Sequence, residues 1–240
     1  MNQDNSISGQ TAVVTGGSRG IGASIAIKLA EMGAKTVILG RNRSALESVA
    51  AQIHAQQGSC LAMVCDLESQ ADVEHVAREI HSRAAAPQIL VNCAGVGQMG
   101  RPLLDCTADD WNRILNTNLR GVFYAIRAFA PAMVEARNGH IINISSISGK
   151  NPLPGGAIYA ASKWGLNGLS FSLAEELRAH NIRVSVVCPG SVHTEFSNHE
   201  GRDLSRMLVA SDVAHAVAML VTQRPQSFIS EIVLRPTQKP

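Results

Sequence analysis

Three side chains in the second half of the chain have the types and spacing of a proton-transfer site. Tyr159 and Lys163 are four residues apart in a segment of helical period, which puts the phenol and the ammonium on one helix face. A free tyrosine has a pKa near 10, so acid–base work near neutrality needs a shift of about three units, or roughly 4 kcal/mol. A neighbouring cation acts in that direction because it favours the phenolate. Ser146 follows a predicted strand and can donate a hydrogen bond to the same substrate oxygen.

A glycine-rich turn in the first half has the spacing of a phosphate-binding loop. Gly16 and Gly20 lie between a predicted strand at 11–15 and a predicted helix at 21–32, and Gly22 lies in the first turn of that helix. Gly16 allows a tight turn, Gly20 lets the backbone approach a pyrophosphate, and Gly22 lets helix and strand pack closely. The helix N-terminus then faces the anion. The turn predicts a dinucleotide site, although glycines at such spacing also occur in purely structural turns.

The end of the second predicted strand indicates which dinucleotide is bound. An NAD enzyme usually places an acid there for the adenosine ribose hydroxyls. Here the sequence reads Gly40-Arg41-Asn42-Arg43, without a carboxylate. Arg41, helped by Arg19 in the glycine loop, can make charge-assisted bonds to a 2′-phosphate. The sequence therefore predicts NADP over NAD, the alternative being arginines that are merely solvated at a strand end.

Short β-branched runs alternate with helical stretches along the chain, which predicts a parallel sheet with helices on both faces. We expect an α/β fold of the Rossmann type, a doubly wound sheet of about seven strands in one domain spanning 1–240. The irregular segment 190–206 is predicted to cover the substrate. The predicted strands are 11–15, 36–39, 61–65, 89–92, 141–144, 183–187 and 229–234, and the predicted helices are 21–32, 45–54, 73–84, 109–137 with an interruption at Pro131, and 157–180.

Composition and charge exclude several classes of protein. The 240 residues are 45% hydrophobic and carry a formal charge of +2 without a basic run, which argues against a nucleic-acid partner. No window approaches the ~18 apolar residues of a membrane span. Residues 2–6 are polar and do not resemble an export signal, so a cytoplasmic protein is expected. Five cysteines without paired spacing predict free thiols, with neither a disulfide framework nor a metal site.

Taken together, these motifs resemble the short-chain dehydrogenase/reductase family over nearly the whole chain. The elements that match in order and spacing are Thr15-Gly16-x-x-x-Gly20-x-Gly22, Asp66-Leu67, Asn92-Cys93-Ala94-Gly95, Asn118, Ser146, Tyr159 with Lys163, and Pro189-Gly190 followed by Thr194.

The resemblance implies a role for each matching position. Asp66 would lie near the adenine, and Lys163 would bind the nicotinamide ribose and lower the pKa of Tyr159. Asn118 would help to hold a water that relays protons from Lys163 to solvent. The implied catalytic residues are Asn118, Ser146, Tyr159 and Lys163. The implied cofactor contacts are Gly16, Ser18, Arg19, Gly20, Ile21, Gly22, Arg41, Asn42, Asp66, Leu67, Asn92, Ala94, Gly95, Tyr159, Lys163, Pro189, Gly190, Val192 and Thr194.

The reaction implied by the resemblance is the NADP-dependent interconversion of a carbonyl and a secondary alcohol by hydride transfer. Tyr159 would protonate the carbonyl oxygen while Ser146 orients it. We expect a reductase of 3-oxoacyl or small keto substrates, an acyl thioester among them, that forms a homo-oligomer, either a dimer or a tetramer.

Two departures from the family pattern bear on this expectation. Cys93 stands where the family usually has a second Asn, either as a tolerated small side chain or as a redox-sensitive thiol. The tail at 230–238 lacks the Asp-Gly-Gly ending of many acyl-carrier-protein reductases and looks more like that of NADP-dependent 3-hydroxy acid and serine dehydrogenases. A non-catalytic NADPH-binding sensor and a nucleotide-sugar epimerase or dehydratase would each share part of the motif set.

Overall fold

Strands and helices alternate along the chain in the computed structural model, which describes residues 7–83, 86–97, 99–196, 201 and 203–240. Within these residues the strands are Thr11–Thr15 (β1), Lys35–Gly40 (β2), Ser59–Val64 (β3), Ile89–Asn92 (β4), Gly139–Ile144 (β5), Ile182–Pro189 (β6) and Glu231–Leu234 (β7). The α-helices are Gly20–Glu31 (α1), Arg43–Ala55 (α2), Gln70–Arg83 (α3), Ala108–Leu115 (α4), Gly121–Ala136 (α5), Ala157–Arg178 (α6) and Ala210–Val221 (α7).

All seven strands form one parallel sheet in the order β3-β2-β1-β4-β5-β6-β7. The chain reverses its direction of travel across the sheet between β1 and β4. A crevice forms at such a switch point, outside the carboxyl ends of the strands. The topology therefore directs the loops after β1, β2, β3, β4, β5 and β6 toward one edge of the sheet.

Helices cover both faces of the sheet. Successive strand residues point to opposite sides, so each strand contributes side chains to both helix layers. In β1, Ala12 and Val14 pack with the layer of α1, α2 and α7, whereas Val13 packs with the layer of α3, α5 and α6. Strands covered on both faces are apolar throughout, as the β1 sequence is. The two cores hold the strand ends in a fixed arrangement beneath the crevice.

The junction between α4 and α5 is the main helical irregularity near the crevice. Residues Asn116–Arg120 form one wider π-helical turn there, and Thr117 and Asn118 are buried within it. Such turns occur frequently at functional sites. The extra residue in the turn lets Asn118 point inward while the helix continues.

The fold class expected from the sequence is confirmed. The predicted strands at 11–15 and 89–92 have the observed bounds, and the other strand ends differ by at most two residues. The predicted interruption at Pro131 is wrong: α5 runs through it, because Pro131 and Arg127 lie on the exposed face, where water can satisfy the carbonyl that proline leaves without a partner.

Helix α7 was not predicted from the sequence. The signal for it is an Ala-rich apolar run with Asp212 in the first turn, where the Asp212 carboxylate accepts a hydrogen bond from Val209 N at 2.8 Å. Of the predicted elements, Ala84 at the end of a helix and residues 197–200 and 202 of the covering segment lie outside the described residues. No described helix combines the length and the apolar character needed to cross a membrane.

Candidate active site

A cleft of about 450 Å³ lies over the carboxyl ends of the strands, at the switch point of the sheet. Many of the residues that line this cleft come shortly after the end of a strand, and each of these follows a different strand. The parallel topology therefore brings them together. They include Gly16 after β1, Arg41 after β2, Asp66 after β3, Ala94 after β4, Ser146 after β5 and Gly190 after β6.

The glycine loop forms one wall of the cleft with very close backbone contacts. Gly16 has a φ of +69°, and a Cβ there would lie 2.7 Å from the Cα of Ala94. A Cβ on Gly22 would lie 2.2 Å from the carbonyl oxygen of Gly16. The Thr15 hydroxyl accepts hydrogen bonds from the Cys93 and Ala94 amides at 3.1 and 3.2 Å. Glycine at these positions keeps the first turn of α1 open toward the cleft, which fits a pyrophosphate group.

Two arginines, Arg41 and Arg19, line the glycine-loop end of the cleft. Asn42, which follows Arg41, caps α2 instead by accepting a hydrogen bond from Ala45 N at 3.1 Å. Arg19 also lines the cleft and pairs with Glu195 at 3.0 Å on the opposite rim. In the chain alone, Arg19 is therefore bonded to the segment predicted to cover the substrate.

Ser146, Tyr159 and Lys163 converge at the other end of the cleft. Tyr159 lies in the first turn of α6, and the Lys163 ammonium is 5.8 Å from its ring centroid. The Lys163 Nζ donates a hydrogen bond to the carbonyl of Ile144, the last residue of β5, at 2.9 Å. The Ser146 hydroxyl lies within hydrogen-bonding reach of the phenol. The helix start and the strand end thus place a phenol and a hydroxyl where both can reach one substrate oxygen.

A buried chain of hydrogen bonds fixes α6 against the sheet below this site. The Asn92 Nδ2 donates to the Asn143 Oδ1 at 2.8 Å, and the Asn143 Nδ2 donates to the Ser170 Oγ at 2.8 Å. Ser170 in turn donates to the carbonyl of Leu166 at 2.6 Å. Because buried polar groups are costly to leave unpaired, this chain specifies how β4, β5 and α6 are arranged.

Burial dominates the electrostatics of the tyrosine and the lysine. It raises the pKa of Tyr159 to about 12, although the hydrogen bond from Ser146 acts in the opposite direction. Burial lowers the pKa of Lys163 to about 8. Loss of solvation disfavours the phenolate, and the lowering of this pKa by Lys163 that the resemblance implies stays a prediction.

Asn118 lies behind the cleft wall and is completely buried. Its Oδ1 accepts from Val96 N at 2.8 Å, and its Nδ2 donates to the Val96 carbonyl at 2.9 Å and to the Ser162 hydroxyl at 3.0 Å. Its Oδ1 and the Lys163 Nζ would lie 3.3 and 3.8 Å from a Cβ on Gly95, so both groups flank the same point. Asn118 therefore shapes the segment around Val96, and its role in holding a water stays a prediction.

Cys93 lines the cleft beside Lys163. Burial raises the pKa of the Cys93 thiol to about 12, and the coulombic effect of Lys163 opposes the rise only in part. Since the thiolate is the reactive form, the raised pKa disfavours reaction of this thiol near neutrality. The structure thus favours the tolerated small side chain over the redox-sensitive thiol.

Apolar side chains surround Tyr159 on the outer side of the cleft. The Phe196 ring centroid lies 5.9 Å from that of Tyr159, and a Cβ on Gly97 would lie 2.7 Å from the Phe196 ring. Met99 and Leu153 line the same region. All these residues except Tyr159 belong to the irregular segments 96–104, 148–156 and 191–206, which only the fold brings together.

Most of the predicted site residues line the cleft. Those that do are Gly16, Ser18, Arg19, Gly20, Ile21, Gly22, Arg41, Asp66, Leu67, Ala94, Gly95, Ser146, Tyr159, Lys163, Pro189, Gly190, Val192 and Thr194. Asn42, Asn92 and Asn118 are not among its lining residues, because each uses its side chain to bind nearby protein groups. Glu68 and Thr117 were not predicted from the sequence, and in the cleft wall the Thr117 hydroxyl donates a hydrogen bond to the Glu68 carboxylate at 2.8 Å. Their proximity to Asp66 and Asn118 in the chain was the available signal.

Comparisons with known proteins agree with this fold. The model of the short chain dehydrogenase family matches residues 10–205. An uncharacterized oxidoreductase of Staphylococcus aureus strain MW2 is 32% identical over 225 residues, covering 94% of this chain and 96% of the relative. The chain therefore belongs to the short-chain dehydrogenase family of oxidoreductases.

Two solved structures are similar to the chain over nearly its full length. A metagenomic short-chain oxidoreductase in complex with NADP is 46% identical, with a TM-score of 0.87 and coverage of 98% of this chain and 100% of that one. A variant of actinorhodin polyketide ketoreductase with NADPH is 27% identical, with a TM-score of 0.87 and coverage of 95% of both chains.

Proposed function

We propose that this chain is an NADP-dependent carbonyl reductase that interconverts a ketone and a secondary alcohol, acting on 3-oxoacyl or small keto substrates. The observation that carries the proposal is the convergence of Ser146, Tyr159 and Lys163 in a cleft whose far end is a glycine loop with Arg41. In this proposal residues 1–240 form one NADP-binding domain, and residues 190–206 cover the substrate.

The chain's own residues would handle the substrate oxygen and its proton. Bound NADPH supplies the hydride that reduces the carbonyl carbon. Tyr159 gives its phenolic proton to the oxygen, and Ser146 donates a hydrogen bond to the same oxygen as negative charge develops on it. Lys163 is held beside the phenol by its bond to the Ile144 carbonyl. Products are the secondary alcohol and NADP⁺, and the proton lost by Tyr159 is replaced from solvent.

Preference for NADP over NAD is supported by the cations at the glycine-loop end. Arg41 and Arg19 both line the cleft, and a guanidinium pairs well with a phosphate dianion. The metagenomic oxidoreductase and the polyketide ketoreductase contain NADP and NADPH, respectively. The cradle formed by Gly16 and Gly22 leaves room for the diphosphate that both cofactors share.

The outer cleft supports an uncharged substrate group near Tyr159. Phe196, Met99 and Leu153 present apolar surface there. Apolar pocket walls favour an alkyl or acyl chain, whereas a 3-hydroxy acid or serine brings a carboxylate that needs a cationic partner. We therefore favour neutral ketones and acyl thioesters over the 3-hydroxy acid and serine alternative.

The reaction is tested by following NADPH oxidation with a panel of diketones, β-ketoacyl thioesters and 3-keto acids. We expect turnover with the neutral members, and a loss of about 10²–10⁴-fold in kcat for Tyr159→Phe. Tyr124→Phe is the matched control, because Tyr124 lies on α5 outside the cleft and is the only other tyrosine. Full turnover by Tyr159→Phe would reject the mechanism. NADPH binding without turnover of any substrate would instead support the non-catalytic sensor.

The cofactor is tested by comparing kcat/KM for NADPH and NADH. Arg41→Ala should weaken NADPH binding by about 10–100-fold and leave NADH binding nearly unchanged, because one charge-assisted bond contributes about 1.5–3 kcal/mol. Arg78→Ala on the exposed face of α3 is the control for loss of one positive charge. Equal efficiency with the two cofactors in the wild-type protein would contradict the assignment.

We also propose that the protein is a cytoplasmic homo-oligomer. Large aromatic side chains are exposed on α4, α5 and α6, namely Trp111, Phe123, Trp164 and Phe171. Such side chains are enriched in interfaces. Light scattering should give a dimer or tetramer that Trp164→Lys reduces toward the monomer, and a monomeric wild-type protein would reject this part. The five free thiols are consistent with a reducing compartment.

A further inference from the structure

The Ser146 hydroxyl lies at the start of a short turn. Ser146 ends the run from β5, and a single 3₁₀ turn of three residues, Ile147–Gly149, follows it. The Ser146 Oγ accepts a hydrogen bond from Ser148 N at 3.1 Å, and its carbonyl accepts from Gly149 N at 2.9 Å. The direction of the hydroxyl is thus coupled to the turn. Hydrogen bonds in a 3₁₀ turn have poorer geometry than those in an α-helix, so contacts from neighbouring elements add to its stability.

One anchor of this turn comes from α6. The Asn167 amide is buried and donates to the Gly149 carbonyl at 3.0 Å. A Cβ on Gly149 would lie 2.8 Å from the Asn167 Nδ2, so the turn and the helix are in close contact. This anchor fixes the side of the turn that faces Lys163.

The second anchor is an ion pair between the end of the turn and the edge strand β7. The Lys150 Nζ lies 2.7 and 2.8 Å from the two carboxylate oxygens of Glu231, the first residue of β7. The side chains are 37% and 25% exposed, compared with 65% and 68% for the solvated pair of Arg178 and Glu175. A partly enclosed pair that contacts both oxygens is screened less by water and salt than an exposed one.

The same edge strand also holds the opposite wall of the cleft. Gly190 N donates to the Leu234 carbonyl at 2.8 Å, and the Cys188 thiol lies 3.7 Å from the Glu231 carboxylate. A Cβ on Gly190 would lie 3.6 Å from the Ile147 side chain. Glu231 therefore connects the Ser146 turn to the strand that carries the Pro189-Gly190 wall.

We propose that Lys150 and Glu231 are positioning residues that set the orientation of the Ser146 hydroxyl toward the substrate oxygen. Neither touches the reacting atoms. They act through the turn, because Lys150 closes it with a backbone bond from its own N to the Ile147 carbonyl at 3.0 Å. The inference rests on the proposed carbonyl reductase activity and adds two residues to its machinery.

The test compares turnover, cofactor binding and thermal stability in Glu231→Gln and Lys150→Met. Both variants should lose about five- to tenfold in kcat with a ketone, because a small misplacement of a catalytic group lowers the rate. The dissociation constant for NADPH, measured by fluorescence titration, should stay within about twofold, since neither residue lines the cleft. Arg178→Met, which removes one cation from a solvated pair, is the matched control and should keep the wild-type kcat.

A charge swap separates positioning from a merely structural role. The double variant Lys150→Glu with Glu231→Lys restores the pair with reversed polarity and should recover at least half of the lost kcat. Thermal melting of each variant shows that it is folded before its turnover is compared. Wild-type kcat in the folded Glu231→Gln protein would overturn the inference while leaving the proposed function intact. Absence of turnover in the wild-type protein with the whole ketone panel would reject both.

Discussion

Gly22→Ala is the sharpest perturbation of the cofactor end of the cleft. The added Cβ would lie 2.2 Å from the Gly16 oxygen and 2.7 Å from its carbonyl carbon. Ordinary contacts between such atoms are about 3.5 Å, so the glycine loop must move by roughly 1 Å. Overpacking of this kind costs about 1–3 kcal/mol of unfolding free energy. For a chain of this size the melting temperature should fall by about 2–12 °C.

The same displacement should damage cofactor binding more than it damages the fold. A misplacement of about 1 Å can reduce kcat/KM on the order of 10²-fold. Thermal unfolding by circular dichroism and NADPH titration by fluorescence measure the two effects separately. Ser24→Ala on the same helix is the control, and alanine is the better helix former there. If Gly22→Ala melted with the wild-type protein and bound NADPH equally well, the close approach of α1 to the glycine loop would have no role in shaping the cofactor site.

Three other perturbations act at separate places. Glu195→Gln should strengthen NADPH binding by about two- to fivefold, because it releases Arg19 from an exposed pair that contributes at most about 1 kcal/mol; unchanged titrations would contradict this. Phe129→Ala removes a fully buried ring and should cost about 3–5 kcal/mol in denaturant unfolding, and a loss below about 1 kcal/mol would be inconsistent with its burial. Burial lowers the pKa of His140 to about 3, from about 6.5 in the unfolded chain. The unfolded chain therefore binds one more proton than the folded chain between about pH 6.5 and 3. The free energy of unfolding should decrease by up to roughly 5 kcal/mol as the pH falls through this range. His140→Gln should make the free energy of unfolding depend less on pH, and an equally steep pH dependence would contradict the lowered pKa of His140.

The sequence was informative wherever a residue type is required by local geometry. Gly16 and Gly22 could be assigned because the turn tolerates no side chain at either place, and Tyr159 with Lys163 because helical spacing fixes their relation. The orientation of Asn118 could not be predicted, since it depends on a π-helical turn and on a contact with Val96 across the fold.

The apolar side chains near Tyr159 could not be predicted from sequence patterns for a similar reason. Met99, Leu153 and Phe196 come from three separate loops, and no periodicity relates them. The pair of Lys150 and Glu231 spans 81 residues and joins a turn to an edge strand. Contacts at such separations follow from the order of strands in the sheet, which a single sequence does not encode as a local pattern.

The electrostatics of the site bear on the direction of the reaction. Burial raises the pKa of Tyr159 to about 12 and lowers that of Lys163 to about 8, so both shifts favour the uncharged forms. Oxidation of an alcohol requires a phenolate before proton transfer, and the raised pKa of Tyr159 disfavours that form near neutrality. Reduction starts from the neutral phenol, which the protein already provides. The Ser146 hydroxyl lies within reach of that phenol, so a donor and an acid face the same position. The residues of the chain itself are therefore arranged for a proton donor, which is the form that a carbonyl reductase uses.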